Sequence, residues 1–217
     1  MTSMKESFII STCCVLLLTQ GISSTAQQPD ESIIAAQKQR VLEWREERDE
    51  FFRNHERSPL SISEKKHFRT LKYYDFDPKW VFWGPIERYA AYIVFNDPKY
   101  HSVFLTNKGT TKRYIRYGRF HFWVNNKEYA LEIFKSILSD WLFIPFLDKT
   151  NDQETYRGGR YLDAEILPEY RMMLDFNMAY YPPCAYNNKL TCALPPRQNM
   201  LDIPIRVGEK IFSQSIS

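Results

Sequence analysis

Several familiar chemistries are missing from this chain of 217 residues. No G-x-S-x-G turn occurs, and after Ser139 the only serines are Ser213, Ser215 and Ser217, so the sequence lacks a nucleophile elbow. Neither a Walker loop nor a dinucleotide fingerprint is present. The four histidines, His55, His67, His101 and His121, lie far upstream of Cys184 and Cys192. None shows H-x-x-x-H spacing, and no C-x-x-C pair follows, so no metal centre is expected. Charge of one sign is not in excess either. Basic and acidic residues number 29 and 26, a net +3, which argues against a dedicated nucleic-acid partner. No internal repeat is visible. No cofactor is implied by any of these patterns.

What is present starts with a leader. Residues 1–26 read as a secretory signal peptide: Lys5 in the n-region, an apolar run from Phe8 to Leu18, and the small residues Ser24-Thr25-Ala26 before Gln27. The run is shorter than the roughly 20 residues a bilayer requires, so no membrane span is expected after cleavage. The expected location is periplasmic or extracellular. Cys13 and Cys14 leave with the leader, and only Cys184 and Cys192 remain. In an oxidising compartment this pair reads as a structural disulfide before it reads as a metal or redox site.

Residues 27–70 form an N-terminal helical segment. The stretch 31–57 is free of Gly and Pro and dense in good helix formers. Ile34, Val41, Trp44 and Phe51 can share an apolar face, while Arg40, Arg45 and Arg48 with Glu43, Glu46 and Glu47 suit a solvated one. Two heptads are too few to favour a coiled-coil dimer, and the sequence carries no other signal of oligomeric state. Ser58-Pro59 stops this helix, and Ser61-Ile62-Ser63-Glu64 reads as a capping box for a short second one.

From Leu71 to about residue 212 the pattern is that of strands. Ser102–Asn107, Lys112–Tyr117, Arg119–Val124, Glu128–Phe134 and Leu142–Leu147 are short aromatic and β-branched runs, separated by Asn107-Lys108-Gly109, Gly118 and Asn125-Asn126. Phe120, Phe122 and Val124 alternate with Arg119, His121 and Trp123. Arg171–Met178 and a run through Ile203, Ile205 and Val207 read as later strands, and 213–217 as a flexible tail. The fold class predicted is mainly β, an antiparallel sandwich or split barrel, preceded by one long and one short helix. Trp80, Trp83, Tyr89 and Tyr92 read as core rather than as a carbohydrate platform.

The stretch Thr155–Lys210 combines Arg157-Gly158-Gly159-Arg160, Asp175-Phe176-Asn177, two Pro-Pro pairs and the two mature cysteines. PFLDKTNDQETYRGGRYLD, LDFNMAYYPPCAYNNKLTCALPP and NMLDIPIRVGEK occur in that order. These three motifs resemble the landmarks of the DUF1684 family, a bacterial and archaeal family of unknown function. On that pattern Asp148, Thr150, Thr155, Tyr156, Arg160, Asp175, Asn177, Cys184, Tyr186, Cys192, Pro195, Pro196, Asn199, Gly208 and Glu209 occupy signature positions. The resemblance implies no activity.

The residues leave alternatives open. Asp148, Thr150, Asp152 and Glu154 alternate like calcium ligands, but Gln153 and Gly159 stand where an EF-hand loop needs Gly and Glu, so a polar turn is expected. Arg157-Gly158-Gly159-Arg160 reads either as an anion-binding corner or as a bend in which Arg160 pairs a structural carboxylate, with Asp175 as the natural partner. Three functions follow. The first is an exported module binding a small polar or anionic molecule through Arg160, Asp175, Asn177, Tyr186, Asn199 and Glu209. The second is a hydrolase-type enzyme using Asp175 or Glu209 as acid or base and Arg160 for an oxyanion. The third is a structural envelope protein in which these groups only knit the C-terminal loop.

Overall fold

Seven antiparallel strands form the body of the protein in a computed structural model that describes residues 29–90 and 96–211. The leader over 1–26, the tail over 213–217 and Tyr92 lie outside the described residues. Helix α1 (Glu31–Asn54) and helix α2 (Ile62–His67) come first. They are followed by β1 (Val81–Arg88), β2 (His101–Leu105), β3 (Thr111–Val124), β4 (Lys127–Ser136), β5 (Leu142–Phe146), β6 (Arg160–Asp163) and β7 (Arg171–Asp175). The sheet runs β6-β5-β4-β3-β1-β7, with β2 also pairing β3. Strand β3 carries the curl: its first half pairs β2 and its second half pairs β1. Just after β7, Tyr180 exchanges backbone hydrogen bonds of 2.8 and 3.0 Å with Tyr161 of β6, at the other end of the strand order. The sheet therefore curls into a half-barrel, the split-barrel form of the predicted fold.

Several predicted elements are corrected. Gly118 is not a turn; one strand runs through it, with a bulge between Arg116 and Gly118. A Cβ at Gly118 would lie 2.9 Å from the Glu87 carbonyl and from Ile86 Cγ2, so the glycine permits close approach of β1. Strand β1 had no clean sequence pattern because Gly84-Pro85 interrupts it, and β6 is only four residues long. The predicted strand Arg171–Met178 ends at Asp175, whose carboxylate accepts from Asn177 N at 2.8 Å and turns the chain into a 3-10 helix, Phe176–Met178. The run through Ile203, Ile205 and Val207 is irregular rather than a strand.

Both faces of the central strands are covered. Phe120 and Phe122, whose alternation the sequence shows, are fully buried with Phe82, Ile133, Ile144, Phe146 and Phe176 inside the curl. Burying each such ring contributes about 2–3 kcal/mol. On the outer face Phe104, Phe134 and Phe143 pack with Tyr161 and Ala193. Ala193 belongs to the proline-rich loop, which is held there by Leu194 N donating to Leu105 O at 2.8 Å and by the Tyr161 hydroxyl donating to Ala193 O.

Helix α1 packs against the 3-10 turn that follows β7, and α2 packs against α1. Asp30 caps α1 through Ile33 N at 3.0 Å, and the expected capping box of α2 is formed, with Ser61 N to Glu64 at 2.7 Å and Glu64 N to Ser61 at 3.2 Å. The inward stripe of α1 is not the apolar one predicted. Gln37, Val41 and Phe52 are buried, Arg45 and Arg48 are half-buried, and Phe51 is exposed. Gln37, Val41, Arg45, Arg48 and Phe52 follow helical spacing, but three of the five are polar, so an apolar count misses the face. Of the aromatics expected in the core, Trp80 is buried, while Trp83 is half-buried under Arg171.

Candidate functional site

The signature residues separate into three places. The first is fully enclosed. Arg160 extends from β6 beneath the Phe146 ring, with no exposed surface. It donates to Asp148 Oδ2 and to Ile205 O, each at 2.7 Å, and to Val207 O. The Asp148 Oδ1 atom accepts from Ile205 N at 3.2 Å and from the Thr150 hydroxyl at 2.6 Å. This explains why 203–207 forms no strand: its carbonyls are satisfied by a guanidinium instead of a ladder. Asp148, not Asp175, is the partner of Arg160. The glycine beside it has a structural role too. Gly159 adopts φ +86°, and a Cβ there would lie 2.5 Å from Phe146 O and 2.6 Å from Pro195 Cγ, so the close approach is by the protein itself.

Two asparagines act in the same way. Asn199 is fully buried; it accepts from Glu132 N at 2.8 Å and donates to Glu132 O and Pro145 O at 2.9 and 2.8 Å. Asn177, also fully buried, accepts from Asp77 N at 2.9 Å and donates to Asp77 O and Asp175. In each, both N–H donors and the amide oxygen are paired. Neither presents a polar atom to an open cleft.

The second place lies under α1. Asp175 is 5% exposed and accepts from Gln37 Nε2 at 2.8 Å and from Asn177 Nδ2. Burial holds its pKa above the usual carboxylate value, against the lowering by these hydrogen bonds. It borders a groove of about 280 Å³ with Trp44, Asp163, Glu165 and Tyr180. Glu209 is fully buried; its Oε2 accepts from Tyr181 N at 2.9 Å and from Arg48 at 3.3 Å, and its Oε1 has no partner. Burial pushes its pKa up to about 7 despite the Arg48 charge. The two proposed acid–base groups do not share one centre. Gln37 covers Asp175 and Arg48 covers Glu209, eleven positions apart on one helix, a rise of about 16 Å.

The third place is open. A cleft of about 280 Å³ lies between the N-terminal segment and the half-barrel. Leu60, Phe68 and Leu71 line one side; Tyr156, Tyr181, Tyr186 and Ile211 line the other. The Phe52 and Tyr186 rings meet edge to face at 4.7 Å, and the Tyr181 and Tyr186 rings lie tilted at 6.2 Å. The Tyr181 and Tyr186 hydroxyls are both buried without a hydrogen-bond partner. Burial pushes the Tyr156 phenol up to about 12. The charged lining residue is Glu64, already tied to Ser61 N.

Cys184 and Cys192 border this region. They are buried free thiols in the structure, with Cys184 N donating to Cys192 Sγ at 3.1 Å. The thiol hydrogen bond from Cys184 lowers the Cys192 pKa to about 7 and raises that of Cys184. The calcium-like alternation dissolves into separate bonds: Asp148 holds Arg160, while Glu154 pairs Arg206 at 2.8 Å. Among the described residues no group of His, Cys, Asp and Glu has the arrangement of a metal site.

One polar cluster had no place among the expected site residues. Glu132, 1% exposed, accepts from Arg116, Arg119 and Tyr89 at 2.8–3.0 Å. The Asn125-Asn126 turn holds its signal: Arg119 and Glu132 stand equally far from that turn and pair directly across the hairpin. The inward Gln37, Arg45, Arg48 and Asp49 of α1 were missed because polar and charged residues on a helix ordinarily face water.

Comparison with known proteins fits this architecture. Residues 66–210 match the model of a family described as a protein of unknown function, DUF1684. The fold is similar to the solution NMR structure of an uncharacterized protein of Haloarcula marismortui. The two share 29% identity and a TM-score of 0.64, over 85% of this chain and 100% of that one. No curated protein matches significantly. The chain belongs to the DUF1684 family.

Proposed function

We propose that this domain binds a small uncharged molecule, with an apolar or aromatic body and a hydrogen-bonding head, in the cleft bounded by Tyr156, Tyr181 and Tyr186. The observation that carries this reading is the Tyr186 hydroxyl, buried on the wall of an aromatic cleft with no partner. A buried hydroxyl left unpaired costs about 1–3 kcal/mol, which a ligand acceptor or donor would recover. The volume, about 280 Å³, lies just below the usual range for ligand pockets, roughly 300–1,000 Å³. An anionic ligand is not part of the proposal, because Arg160 has no open face and the charged group at the cleft is a carboxylate.

The test uses phenol, p-cresol and benzamide as probes, with binding followed by amide chemical shifts. Binding at the cleft that weakens about three- to tenfold in Tyr186→Phe would support the reading, the size expected for one neutral hydrogen bond. Absence of binding by all three probes, or equal binding by the variant, would remove it.

We propose further that the chain is exported and that Cys184 and Cys192 close as a disulfide. The leader-like residues 1–26 support the first, and the placement of Cys192 Sγ 3.1 Å from Cys184 N supports the second. N-terminal sequencing of protein from the periplasm or medium should begin at Gln27. Retention of the full chain in the cytoplasm would count against export.

A further inference from the structure

This fold already binds a guanidinium, and the guanidinium is its own. Arg48 leaves α1 toward the half-barrel, where one of its terminal amines lies 3.3 Å from Glu209 Oε2 and its Nε donates to the Tyr73 hydroxyl at 3.3 Å. Its Cζ sits 4.7 Å from the centre of the Tyr180 ring. Trp44 and Phe52, on the same helix, add ring faces at 5.0 and 5.5 Å. The carboxylate of Glu209 is 1% exposed and the Arg48 side chain 18%. An acid at the bottom of an aromatic surround is the arrangement that recognises an organic cation.

Two features set this apart from an ordinary ion pair. The receptor side comes from three separate segments: Tyr73 before β1, Tyr180 after β7, and Glu209 near the end of the described chain. The fit of the occupant is incomplete as well. Arg48 reaches Glu209 through one amine, at a distance longer than the roughly 2.7–2.9 Å of a strong charge-assisted bond. The second carboxylate oxygen, Oε1, is buried with no partner at all. A guanidinium freed from the helix backbone has the fork geometry to engage both oxygens.

We propose that Tyr73, Tyr180 and Glu209 form a receptor pocket for a guanidinium or similar planar cation, which Arg48 fills as an internal ligand. Helix α1 is seated through that pocket, so a ligand carrying a guanidinium competes with the docking of α1. This inference stands apart from the aromatic cleft reading and does not depend on it.

The experiment exchanges the occupant. Arg48→Met keeps an unbranched stem against Trp44, Phe52 and Tyr180 and removes the cation. Methylguanidinium chloride is the probe, with equimolar sodium chloride as the control. At ten times its dissociation constant the probe should raise the melting temperature of Arg48→Met by roughly 3–5 °C. Wild type, whose pocket is filled, should show no rise, and the double variant Arg48→Met, Glu209→Gln should lose the response. The proposal is overturned if wild type and Arg48→Met respond alike, or if the double variant responds as strongly as the single one. Should Arg48→Met not fold alone, recovery of its circular dichroism by the probe becomes the readout, and failure to recover overturns the proposal equally.

Discussion

The Arg160 network and the Tyr186 cleft both draw on the 148–211 stretch, yet they stand in opposite relation to solvent. Around Arg160, a guanidinium, a carboxylate and three backbone groups of 205–207 use one another, with no exposed surface on the arginine. Around Tyr186 the wall is aromatic, the space is open, and two hydroxyls, those of Tyr181 and Tyr186, are left without a partner. The contrast shows what polar residues do in a loop-rich β domain. Where the chain makes no ladder, side chains must satisfy its carbonyls, and the richest polar cluster is then a structural tie. Incomplete satisfaction alone does not separate the two, since Arg160 Nε is also buried without a partner; what distinguishes the tyrosine wall is that it borders open space.

The largest expected effect tests the enclosed side. Arg160→Met should lower stability by about 3–5 kcal/mol, because it leaves Asp148 charged and buried beside unpaired carbonyls. Urea denaturation measures this directly. A loss under about 1 kcal/mol would break the contrast by showing that Arg160 is dispensable to the fold.

Glu209 sits between the two regions and sharpens the comparison through pH. Its folded pKa, about 7, lies above the ordinary glutamate value of 4.5 because of burial. The protonated form therefore favours the folded state. Its contribution is fully present below about pH 4.5 and is lost as pH rises to about 7, an effect of order 3 kcal/mol. Wild type should lose stability relative to Glu209→Gln across that window and run parallel to it above. A difference that grows in the opposite direction would show the Arg48 charge outweighing burial.

The thiol pair gives an effect of similar size at the rim of the open region. If Cys184 and Cys192 are bonded, native thiol titration finds none reactive, and reduction lowers stability by roughly 2–3 kcal/mol for so short a loop. Two reactive thiols in the native protein would contradict this. The smallest effect is expected at the cleft. Tyr186→Phe should change stability by less than about 0.5 kcal/mol, or raise it slightly, since the hydroxyl it removes makes no bond. A loss above about 1 kcal/mol would place Tyr186 with the structural ties instead.

How much of this could be read from residues alone follows from what each element rests on. The Ser61-Glu64 box and the Phe120/Phe122 alternation are local rules, and both appear in the structure as the sequence predicts. Gly118 misled because glycine marks both turns and close strand approaches, and only the position of β1 distinguishes them. Ile203, Ile205 and Val207 alternate like a strand, but the chain there is held by Arg160, whose partner Asp148 no spacing rule selects. The signature motifs drew attention to Tyr186 and Glu209, yet their partners Phe52 and Arg48 come from α1, more than a hundred residues earlier. Long-range polar contacts of that kind have no period to detect.

The most direct test of the division between tie and cleft is a map of amide chemical-shift changes on adding p-cresol. The account predicts changes clustered at Tyr156, Tyr181, Ala185 and Tyr186, with none at Arg160, Asn177 or Asn199. Changes centred on Arg160 and Asn199, with the tyrosine cleft silent, would contradict it.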